Sequence, residues 1–296
     1  MRLANINGTP ALAVDDGYID VASASASRYD SFDTVFADWA AFRGWAEHTM
    51  RHATTPDYPQ DTPRGPAVPA PRQVFGVGFN YAAHSHEAAA LTGGAKADAL
   101  PLMFTKFPSS ITGPTGQIEL PDGRTDFEVE LVVAIGVAAD RVSVEDAWSH
   151  VAGLLVGQDV SARAVQFLRP EQHSIGKSFR TFSPLGPDLV TPDEFADPTD
   201  LELRCWVNGE LRQKGRTGEM TYPVAELIAL LSAVTTLLPG DVIFTGTPAG
   251  VGALEDPPRF LQPGDVVVSE IDGLGRMENR CVTSRPAPDL GTRWHG

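Results

Sequence analysis

The chain has 296 residues, of which 42% are hydrophobic and 21% charged, and it carries a formal net charge of −15. This composition is typical of a globular protein and excludes disorder as the main state, while the acidic excess disfavours nucleic acids and anionic membrane surfaces as partners, because both are bound through Lys and Arg. The 28 Gly and 24 Pro residues predict many tight turns and favour a β-rich fold over a helical bundle.

The sequence contains no signal for secretion or for a membrane span. Residues 1–10 lack the apolar core of a signal peptide, and no run of about 18 apolar residues occurs. The two cysteines, Cys205 and Cys281, are too few for a disulfide scaffold, and each lies in or beside an apolar run that predicts burial. We therefore expect a cytoplasmic protein.

The first 70 residues predict a small α+β domain. Strand-like runs within residues 3–21 flank Asp16-Gly17, a pair that favours a hairpin turn. From Ser31 onward, apolar residues recur at spacings of three and four, which predicts a helix with one buried face. Six prolines within residues 54–72 indicate a linker. These features divide the chain into a small domain over 1–70, a larger domain over 71–285 and a tail over 286–296.

Beyond residue 73, short apolar runs bounded by Gly, Pro or Asp predict strands of a mainly antiparallel or mixed sheet. These runs are Val74–Val77, Leu102–Phe104, Val129–Val137, Val151–Val156, Leu201–Val207, Val242–Phe244 and Val266–Ile271. Helical patterns are few, and the clearest are Tyr222–Leu231 and Val144–His150. The predicted fold class is mixed α/β and rich in strands.

Two carboxylates in an apolar strand give the strongest chemical signal. Glu128 and Glu130 are two residues apart, so their side chains project from one face of the predicted strand. If that face is buried, a positive charge must lie between them, and oxygen ligands favour Mg²⁺, Mn²⁺ or Ca²⁺ over zinc. The alternative is an exposed face with two solvated carboxylates.

A third carboxylate ends the next predicted strand. Asp159 follows the run Leu154–Gln158, at a position where ligands are often presented. Three carboxylates, completed by water or substrate oxygens, would make an octahedral site. The alternative for Asp159 is a cap on the segment that follows it.

A histidine and a glutamate follow the first strand of the larger domain. His84 and Glu87 are three residues apart, so on a short helix Glu87 could orient the imidazole as a general base for water. His86 is an alternative base, although adjacent residues such as His86 and Glu87 do not share a helix face. The stretch around Gly93-Gly94 would suit a lid over the substrate.

Two lysines and a glycine-rich loop complete the candidate features. Lys106 and Lys177 lie within apolar or Ser-rich segments, which suggests anion capture, with surface lysines as the alternative. Residues 239–252 read as a strand that enters a loop with several glycines, where the backbone could approach a ligand or simply make a tight turn.

Nine segments in this order make the chain resemble the fumarylacetoacetate hydrolase family. They are G-F-N-Y-x-x-H-x-x-E at 78–87, F-T-K at 104–106, S-S-I-T-G-P at 109–114, D-F-E-V-E-L at 126–131, Q-D-V-S-A-R at 158–163, G-K-S-F at 176–179, P-L-G-P at 184–187, P-G-D-V-I-F-T-G-T-P-A-G-V-G at 239–252 and L-Q-P-G-D-V-V at 261–267. The resemblance covers roughly residues 71–283. It implies a mixed β-roll after a small N-terminal domain, in a protein that is usually a homodimer.

The resemblance also implies the roles of individual residues. The metal, Mg²⁺ or Mn²⁺, would be held by Glu128, Glu130 and Asp159. The catalytic residues would be His84, Glu87 and Lys177. The substrate contacts would be Tyr81, Lys106, Arg163, Gln166 and Thr247.

The chemistry implied by the resemblance is that of a metal-dependent enzyme for small anionic 2-oxo or 2-hydroxy-dienoic acids. We favour hydrolysis of a C–C bond in an acylpyruvate, with isomerisation of 2-hydroxyhepta-2,4-diene-1,7-dioate or decarboxylation of oxaloacetate as alternatives. An alternative of another class is a non-catalytic protein that binds a small molecule.

Three positions depart from the family's motifs. Gln158, Ala164 and Arg180 stand where many relatives have Asn, Asp and Asp. The metal and His84/Glu87 positions are intact, so the chemistry is expected to be retained. The changes at Ala164 and Arg180 alter the charge near the expected site and leave the substrate open.

Overall fold

The computed structural model describes residues 1–52, 55–86, 100–121, 123–168 and 172–285 of the protein. The strands in these ranges are β1 (Arg2–Ile6), β2 (Thr9–Val14), β3 (Gly17–Asp20), β4 (Tyr58–Pro59), β5 (Val74–Gly78), β6 (Leu102–Lys106), β7 (Ile111–Thr112), β8 (Ile118–Leu120), β9 (Thr125–Asp126), β10 (Val129–Ile135), β11 (Val151–Gln158), β12 (Ser161–Ala162), β13 (Ser183–Val190), β14 (Glu202–Val207), β15 (Glu210–Arg216), β16 (Val242–Phe244), β17 (Val266–Ile271) and β18 (Gly275–Thr283). This content confirms the predicted class, mixed α/β and rich in strands.

Most of the described strands belong to one large mixed sheet. Its order is β4-β3-β2-β1-β13-β11-β10-β16-β5-β6, with β7 beside β13. Neighbours are antiparallel except for β16 with β5 and β7 with β13, which are parallel. A second sheet has the order β15-β14-β17-β18-β8, and β9 pairs with β12. Each of the seven predicted apolar runs overlaps one of these strands.

The described helices are short and lie beside the sheets. They are α1 (Val21–Ala24), α2 (Phe32–Ala37), α3 (Trp39–His52), α4 (Arg163–Gln166) and α5 (Val224–Val234), and residues 82–86 are also helical. Ser31 caps α2 as the sequence predicts, and α5 matches the predicted helix near Tyr222–Leu231. The predicted helix Val144–His150 is wrong, because only the 3₁₀ turn Ala147–His150 forms there.

Strand β10 lies between two hydrophobic cores. All seven of its residues are buried, and successive residues alternate between the cores because strand side chains point to opposite faces. Leu131, Val133 and Ile135 pack into the core that contains α5 and much of the second sheet. Val132 and Ala134 pack into the core under α2 and α3. This burial on both faces explains the nearly continuous apolar run in the sequence.

Some strands carry sequence signals that oppose a strand prediction. β13 contains Pro184 and Pro187, which lack the amide proton of a regular ladder, yet all eight of its residues are buried. Asp188 is buried in this strand and paired with Arg64. Prolines therefore concealed a central strand of the large sheet.

The N-terminal strands are part of the same large sheet. In β1, Leu3 pairs with Leu189 of β13, and β1 also pairs with β2. Leu12 of β2 packs in one core with Leu155 and Phe244 from the larger predicted domain. The division of the chain at residue 70 stays a prediction, and these contacts link the two sides of that boundary.

We predict that the chain unfolds as one cooperative unit. Leu12→Ala should cost about 2–5 kcal/mol of unfolding free energy, because it leaves a cavity in a shared core. Calorimetry should show one transition at a lower temperature. Leu211→Ala, at a half-exposed position of β15, is the control and should change stability by less than about 0.5 kcal/mol. A separate early transition confined to the N-terminal region would instead support an independent domain.

Candidate metal and active site

Three buried carboxylates meet where two central strands end. Glu128 immediately precedes β10, Glu130 is its second residue, and Asp159 follows β11. The Asp159 amide donates to the Glu128 carbonyl over 2.8 Å, which places the two strand ends side by side. One oxygen from each of the three carboxylates lies within 4.8 Å of the others. Their burial excludes the alternative of an exposed strand face.

Two buried lysines donate hydrogen bonds to two of these three carboxylates. Lys177 Nζ donates to Glu128 Oε2 and to Asp159 Oδ2, both over 2.6 Å. Lys106 Nζ donates to Asp159 and to the carbonyls of Lys177 and Phe182. Both lysines are almost fully buried, which excludes the alternative of surface lysines. The carboxylate of Asp159 is therefore held by ammonium groups rather than used as a helix cap.

An arginine links the cluster to a fourth buried carboxylate. Arg163, the first residue of α4, donates to Asp126 Oδ2 through Nε and Nη2, over 2.9 and 2.8 Å. Its Nη2 also donates to Glu128 Oε1 over 2.5 Å. Asp126 is anchored in turn by the backbone amides of Gly252 and Ala253. Sequence reasoning missed Asp126, although it lies two residues before Glu128 and shares the spacing that identified Glu130.

The charges of the cluster do not balance within the protein. Its members are four carboxylates and three basic groups: Asp126, Glu128, Glu130 and Asp159 against Lys106, Arg163 and Lys177. Burial opposes ionisation, but Lys177 and Arg163 hold the pKa of Glu128 far below its ordinary value. Burial, together with the charges of Asp159 and Glu128, raises the pKa of Glu130 well above its ordinary value. Among the described residues, Glu130 forms no ion pair.

This imbalance fits a divalent cation. The donors are hard carboxylate oxygens, which suit Mg²⁺ or Mn²⁺. Glu130 is the carboxylate that lacks a close positive partner among the described residues, and a cation bound by Glu128, Glu130 and Asp159 would supply it. The residues present therefore fit the metal that the sequence predicts at this site.

The backbone of the glycine-rich loop within residues 239–252 donates hydrogen bonds to carboxylates of the cluster. The Gly246 amide donates to Glu130 Oε2 over 2.8 Å. Gly246 has a φ of +100°, and a Cβ there would lie 2.7 Å from the Asn80 Cβ, so a larger residue would be strained. Thr247 is buried and donates to the Val129 carbonyl, while Gln213 donates to Thr247 and accepts from the Val129 amide.

His84 and His86 lie in different environments. His84 is buried and lines a cavity together with Glu128, Glu130 and Lys177, whereas His86 is exposed. The structure therefore favours His84 over His86 as the general base. Glu87 and the predicted lid around Gly93-Gly94 lie outside the described residues, so their roles stay predictions.

The predicted substrate contacts fall into two groups. Arg163, Gln166 and Thr247 line the cavity. Tyr81 and Lys106 are buried but are not among the lining residues that the structure describes. Tyr81 packs in the hydrophobic core. The pKa of its hydroxyl is raised mainly by burial and to a smaller extent by the charge of Glu130. Contacts of Tyr81 and Lys106 with a substrate stay predictions.

The departures from the family's motifs have modest local effects. Gln158 accepts from the Glu128 amide over 2.8 Å and donates to Cys205 Sγ, so it fixes the backbone of a predicted metal ligand. Arg180 is exposed and does not line the cavity, and Ala164 is half-buried. The expected change of charge at Arg180 therefore lies on the surface rather than in the cavity.

Comparison with known proteins shows which family the chain resembles over most of its length. The sequence model of the family described as "Fumarylacetoacetate (FAA) hydrolase C-terminal" matches residues 73–282. Human mitochondrial oxaloacetate tautomerase FAHD2A is 45% identical over 218 residues, which are 73% of this chain and 68% of the relative. Among the described residues, no helix is long and apolar enough to cross a membrane.

Solved structures share the fold over nearly the whole chain. A crystal structure of a candidate HpcE protein from Mycobacterium smegmatis is 46% identical, with a TM-score of 0.89 and coverage of 96% of this chain and 100% of that chain. The maleylpyruvate hydrolase from Sphingobium sp. SYK-6, solved with manganese(II) and pyruvate, is 28% identical with a TM-score of 0.78. Its alignment covers 96% of this chain and 100% of that chain.

We predict opposite effects of Glu130→Gln with and without metal. In the metal-free protein, the pKa of Glu130 is raised in the folded state. The contribution of Glu130 to the free energy of unfolding is therefore complete below pH 4.5, the ordinary pKa of a glutamate, and it is lost as the pH rises through the raised pKa. The neutral variant should therefore unfold at a higher temperature than the wild type, by a margin that grows with pH. Thermal scans from pH 5 to pH 9 with chelator measure this.

Manganese should reverse that order. At about one hundred times its Kd, bound Mn²⁺ should stabilise the wild type by about 2.7 kcal/mol. Calorimetric titration should show one Mn²⁺ per wild-type chain and an affinity at least roughly tenfold weaker in the variant. The metal assignment is wrong if Glu130→Gln binds Mn²⁺ as tightly as the wild type.

Proposed function

Because the chain belongs to the fumarylacetoacetate hydrolase family, we propose that it is a divalent-metal-dependent enzyme that moves a proton on an enolisable 2-oxo carboxylic acid. One observation carries the proposal: His84 and Lys177 line the same cavity as the carboxylates Glu128 and Glu130. Two of the proposed metal ligands, the proposed cation for the substrate carboxylate and the proposed proton carrier thus line one cavity. A non-catalytic binding protein would not require this combination.

The metal would be held by Glu128, Glu130 and Asp159. Manganese in the related maleylpyruvate hydrolase supports a divalent cation here. When bound, Mg²⁺ or Mn²⁺ would act as a Lewis acid on the substrate's keto group and favour its enolate form.

Lys177 is suited to binding an anion rather than to removing a proton. Burial lowers its pKa, but Asp159 and Glu128 outweigh burial, so the pKa of Lys177 is raised overall. A lysine with a raised pKa remains an ammonium at neutral pH. Lys177 and Arg163, both on the cavity wall, would therefore hold the carboxylate of the substrate.

His84 is the residue best placed to carry the proton. It is buried and lines the cavity, and the two ring nitrogens of an imidazole can accept and donate a proton. We assign to it removal of a proton from the carbon beside the keto group and delivery of that proton to the enolate oxygen, which gives the enol; the same two transfers in reverse convert enol to keto acid. Orientation of His84 by Glu87 is part of this proposal.

The reaction we favour is keto–enol tautomerisation of oxaloacetate. The human relative that bears this activity in its name supports it. Tautomerisation moves one proton within the substrate and requires no attacking water, so His84 suffices as the proton carrier. Hydrolysis of an acylpyruvate is the second candidate, which the motifs and the likeness to maleylpyruvate hydrolase favour. There, His84 would activate a water molecule.

A panel of substrates separates these reactions. The purified protein with Mg²⁺ or Mn²⁺ would be assayed for oxaloacetate enol–keto conversion, oxaloacetate decarboxylation, acylpyruvate cleavage and isomerisation of the dienoate. We expect conversion of oxaloacetate enol to be the fastest. Cleavage of acylpyruvate alone would favour the second candidate, and turnover of none of them would contradict the proposal. Light scattering would test the predicted homodimer.

We predict that His84→Asn lowers kcat by roughly 10²- to 10⁴-fold, the usual contribution of a general acid–base. The affinity for Mn²⁺, measured by calorimetry, should change little because the three carboxylates remain. His86→Asn is the matched control, since His86 is exposed, and it should keep wild-type activity. Equal losses in the two variants would contradict the assignment.

A further inference from the structure

The backbone turns sharply at Phe79, a residue of the cavity wall that has no part in the mechanism above. Phe79 follows β5 and has a φ of +56°, in the left-handed region that glycine adopts readily and aromatic residues seldom adopt. Its side chain is half-buried and lines the cavity together with His84. A glycine would make the same turn without steric cost, so the turn itself does not account for the ring.

The neighbouring contacts fix this strained backbone. Asn80 is fully buried, and its side-chain amide donates to the carbonyls of Thr245 and Tyr222 over 2.8 and 3.0 Å. Asn80 Oδ1 also accepts from the Tyr222 amide over 2.8 Å. On the other side, the Phe79 carbonyl accepts from Ser85 Oγ over 2.9 Å. Strained residues persist where the surroundings determine the backbone in this way, and they concentrate at functional sites.

The ring of Phe79 lies against one face of the His84 imidazole. The two ring centroids are 5.7 Å apart and the ring planes are inclined by 24°, a stacked arrangement within the range that aromatic pairs prefer. Stacking covers a face of the imidazole and not its edge, where both ring nitrogens lie. The contact can therefore limit the tilt of the imidazole while a proton is transferred at its edge.

The orientation of this imidazole matters for the proposed chemistry. Proton transfer by a side chain requires a short and aligned hydrogen bond to the reacting group, and small misplacements lower the rate. His84 lies in the helical residues 82–86, and the hydrogen bond from Ser85 to the Phe79 carbonyl joins these residues to the turn. The turn and the helical residues thus bring the two rings together as one local unit.

We propose that Phe79 is a positioning residue for His84, whose ring stacks on the imidazole and restricts the orientations from which it transfers a proton. The inference rests on the proposed function, because Phe79 acts through the proposed proton carrier. The strained backbone at Phe79 is the cost of placing an aromatic ring on this face of the imidazole.

The first test removes the aromatic face and keeps an apolar side chain. In the Mn²⁺-loaded enzyme, Phe79→Leu should lower kcat for oxaloacetate roughly 2- to 10-fold, the factor expected from the energy of one aromatic pair. The KM and the affinity for Mn²⁺ should stay within about twofold, since the groups that bind substrate and metal remain. Phe79→Tyr keeps the aromatic face and should recover most of the lost kcat.

The matched control is Phe107→Leu, the same substitution at an exposed position that is not among the described lining residues of the cavity. It should keep the kcat of the wild type. A raised KM with unchanged kcat in Phe79→Leu would mark a direct substrate contact and overturn the proposal, as would an unchanged kcat.

A double-mutant cycle tests whether Phe79 acts through His84. In the His84→Asn background there is no imidazole to position, so Phe79→Leu should change the remaining kcat by less than about 1.5-fold. A loss as large as that in the wild-type background would overturn the proposal.

A second pair of variants separates backbone strain from the effect of the ring. Phe79→Gly and Phe79→Ala both remove the ring, but only glycine adopts a φ of +56° without steric cost. Phe79→Gly should therefore unfold at a higher temperature than Phe79→Ala in calorimetry, although both should lose kcat to the same extent. A kcat that recovers with the stability of Phe79→Gly would show a merely structural role and overturn the proposal.

Proton NMR of the metal-free protein at pH 9, where an imidazole is ordinarily neutral, measures the contact without turnover. The ring of Phe79 should shield the carbon-bound protons of the His84 ring. Their signals should therefore move downfield in Phe79→Leu and stay near the wild-type position in Phe79→Tyr. His84→Asn identifies these signals among the seven histidines. Unmoved signals in Phe79→Leu would overturn the proposal.

The proposed function and the role of Phe79 fail in different ways. If the wild type converts none of the 2-oxo acids, the proposed function fails, and the NMR comparison then decides whether Phe79 positions the His84 ring. If the wild type is active and Phe79→Leu keeps its kcat, only the role of Phe79 fails.

Discussion

Desolvation of carboxylates is the constraint on which the centre of this structure depends. An ionised carboxylate inside a protein is costly unless charges or hydrogen bonds compensate it. Three of the four carboxylates in the cluster obtain this compensation from basic side chains at distant positions in the sequence, Lys106, Arg163 and Lys177. Among the residues that the structure describes, Glu130 forms no ion pair and accepts a hydrogen bond from the Gly246 amide. The cluster thus has one more carboxylate than it has basic groups, and a bound cation would compensate for the difference.

The fold supplies these groups because several elements end at one place. β10 and β11 are adjacent and antiparallel, so the residue before one and the residue after the other meet. β16 lies on the other side of β10 and leads into the loop that contains Gly246 and Gly252. Those two glycines donate their amides to Glu130 and Asp126. One loop therefore supplies the backbone hydrogen bonds to two of the four carboxylates in the cluster.

The sequence predicts the carboxylates better than their partners. Glu128 and Glu130 are detectable because strand side chains repeat every two residues, and Asp159 because it ends an apolar run. Pairing between Lys106 and Asp159 spans 53 positions, and no local pattern reveals it. A lysine in an apolar segment indicates burial, but it does not indicate whether the ammonium group faces a substrate or a carboxylate. The sequence predicts a substrate contact for Lys106. Its described contacts are instead to Asp159 and to two backbone carbonyls.

The same limit applies to the rest of the fold. Local patterns predicted the apolar strands, but the prolines of β13 concealed a strand whose stability comes from its neighbours β1 and β11. The proline-rich stretch within residues 54–72 predicts a domain boundary, although the strands before it continue the sheet formed after it.

The net charge of −15 and the charged groups that line the cavity act over different distances. At physiological salt, surface charges are screened beyond about 8 Å, so the acidic surface contributes little to the field inside a buried site. There the local groups dominate, and screening is weak. Arg163 lies within hydrogen-bonding distance of the Glu128 carboxylate and Lys177 within that of the Asp159 carboxylate. These carboxylates raise the pKa of both basic groups and so keep them charged. An acidic protein can therefore bind an anionic acid, since the charges that matter are those held in place by burial.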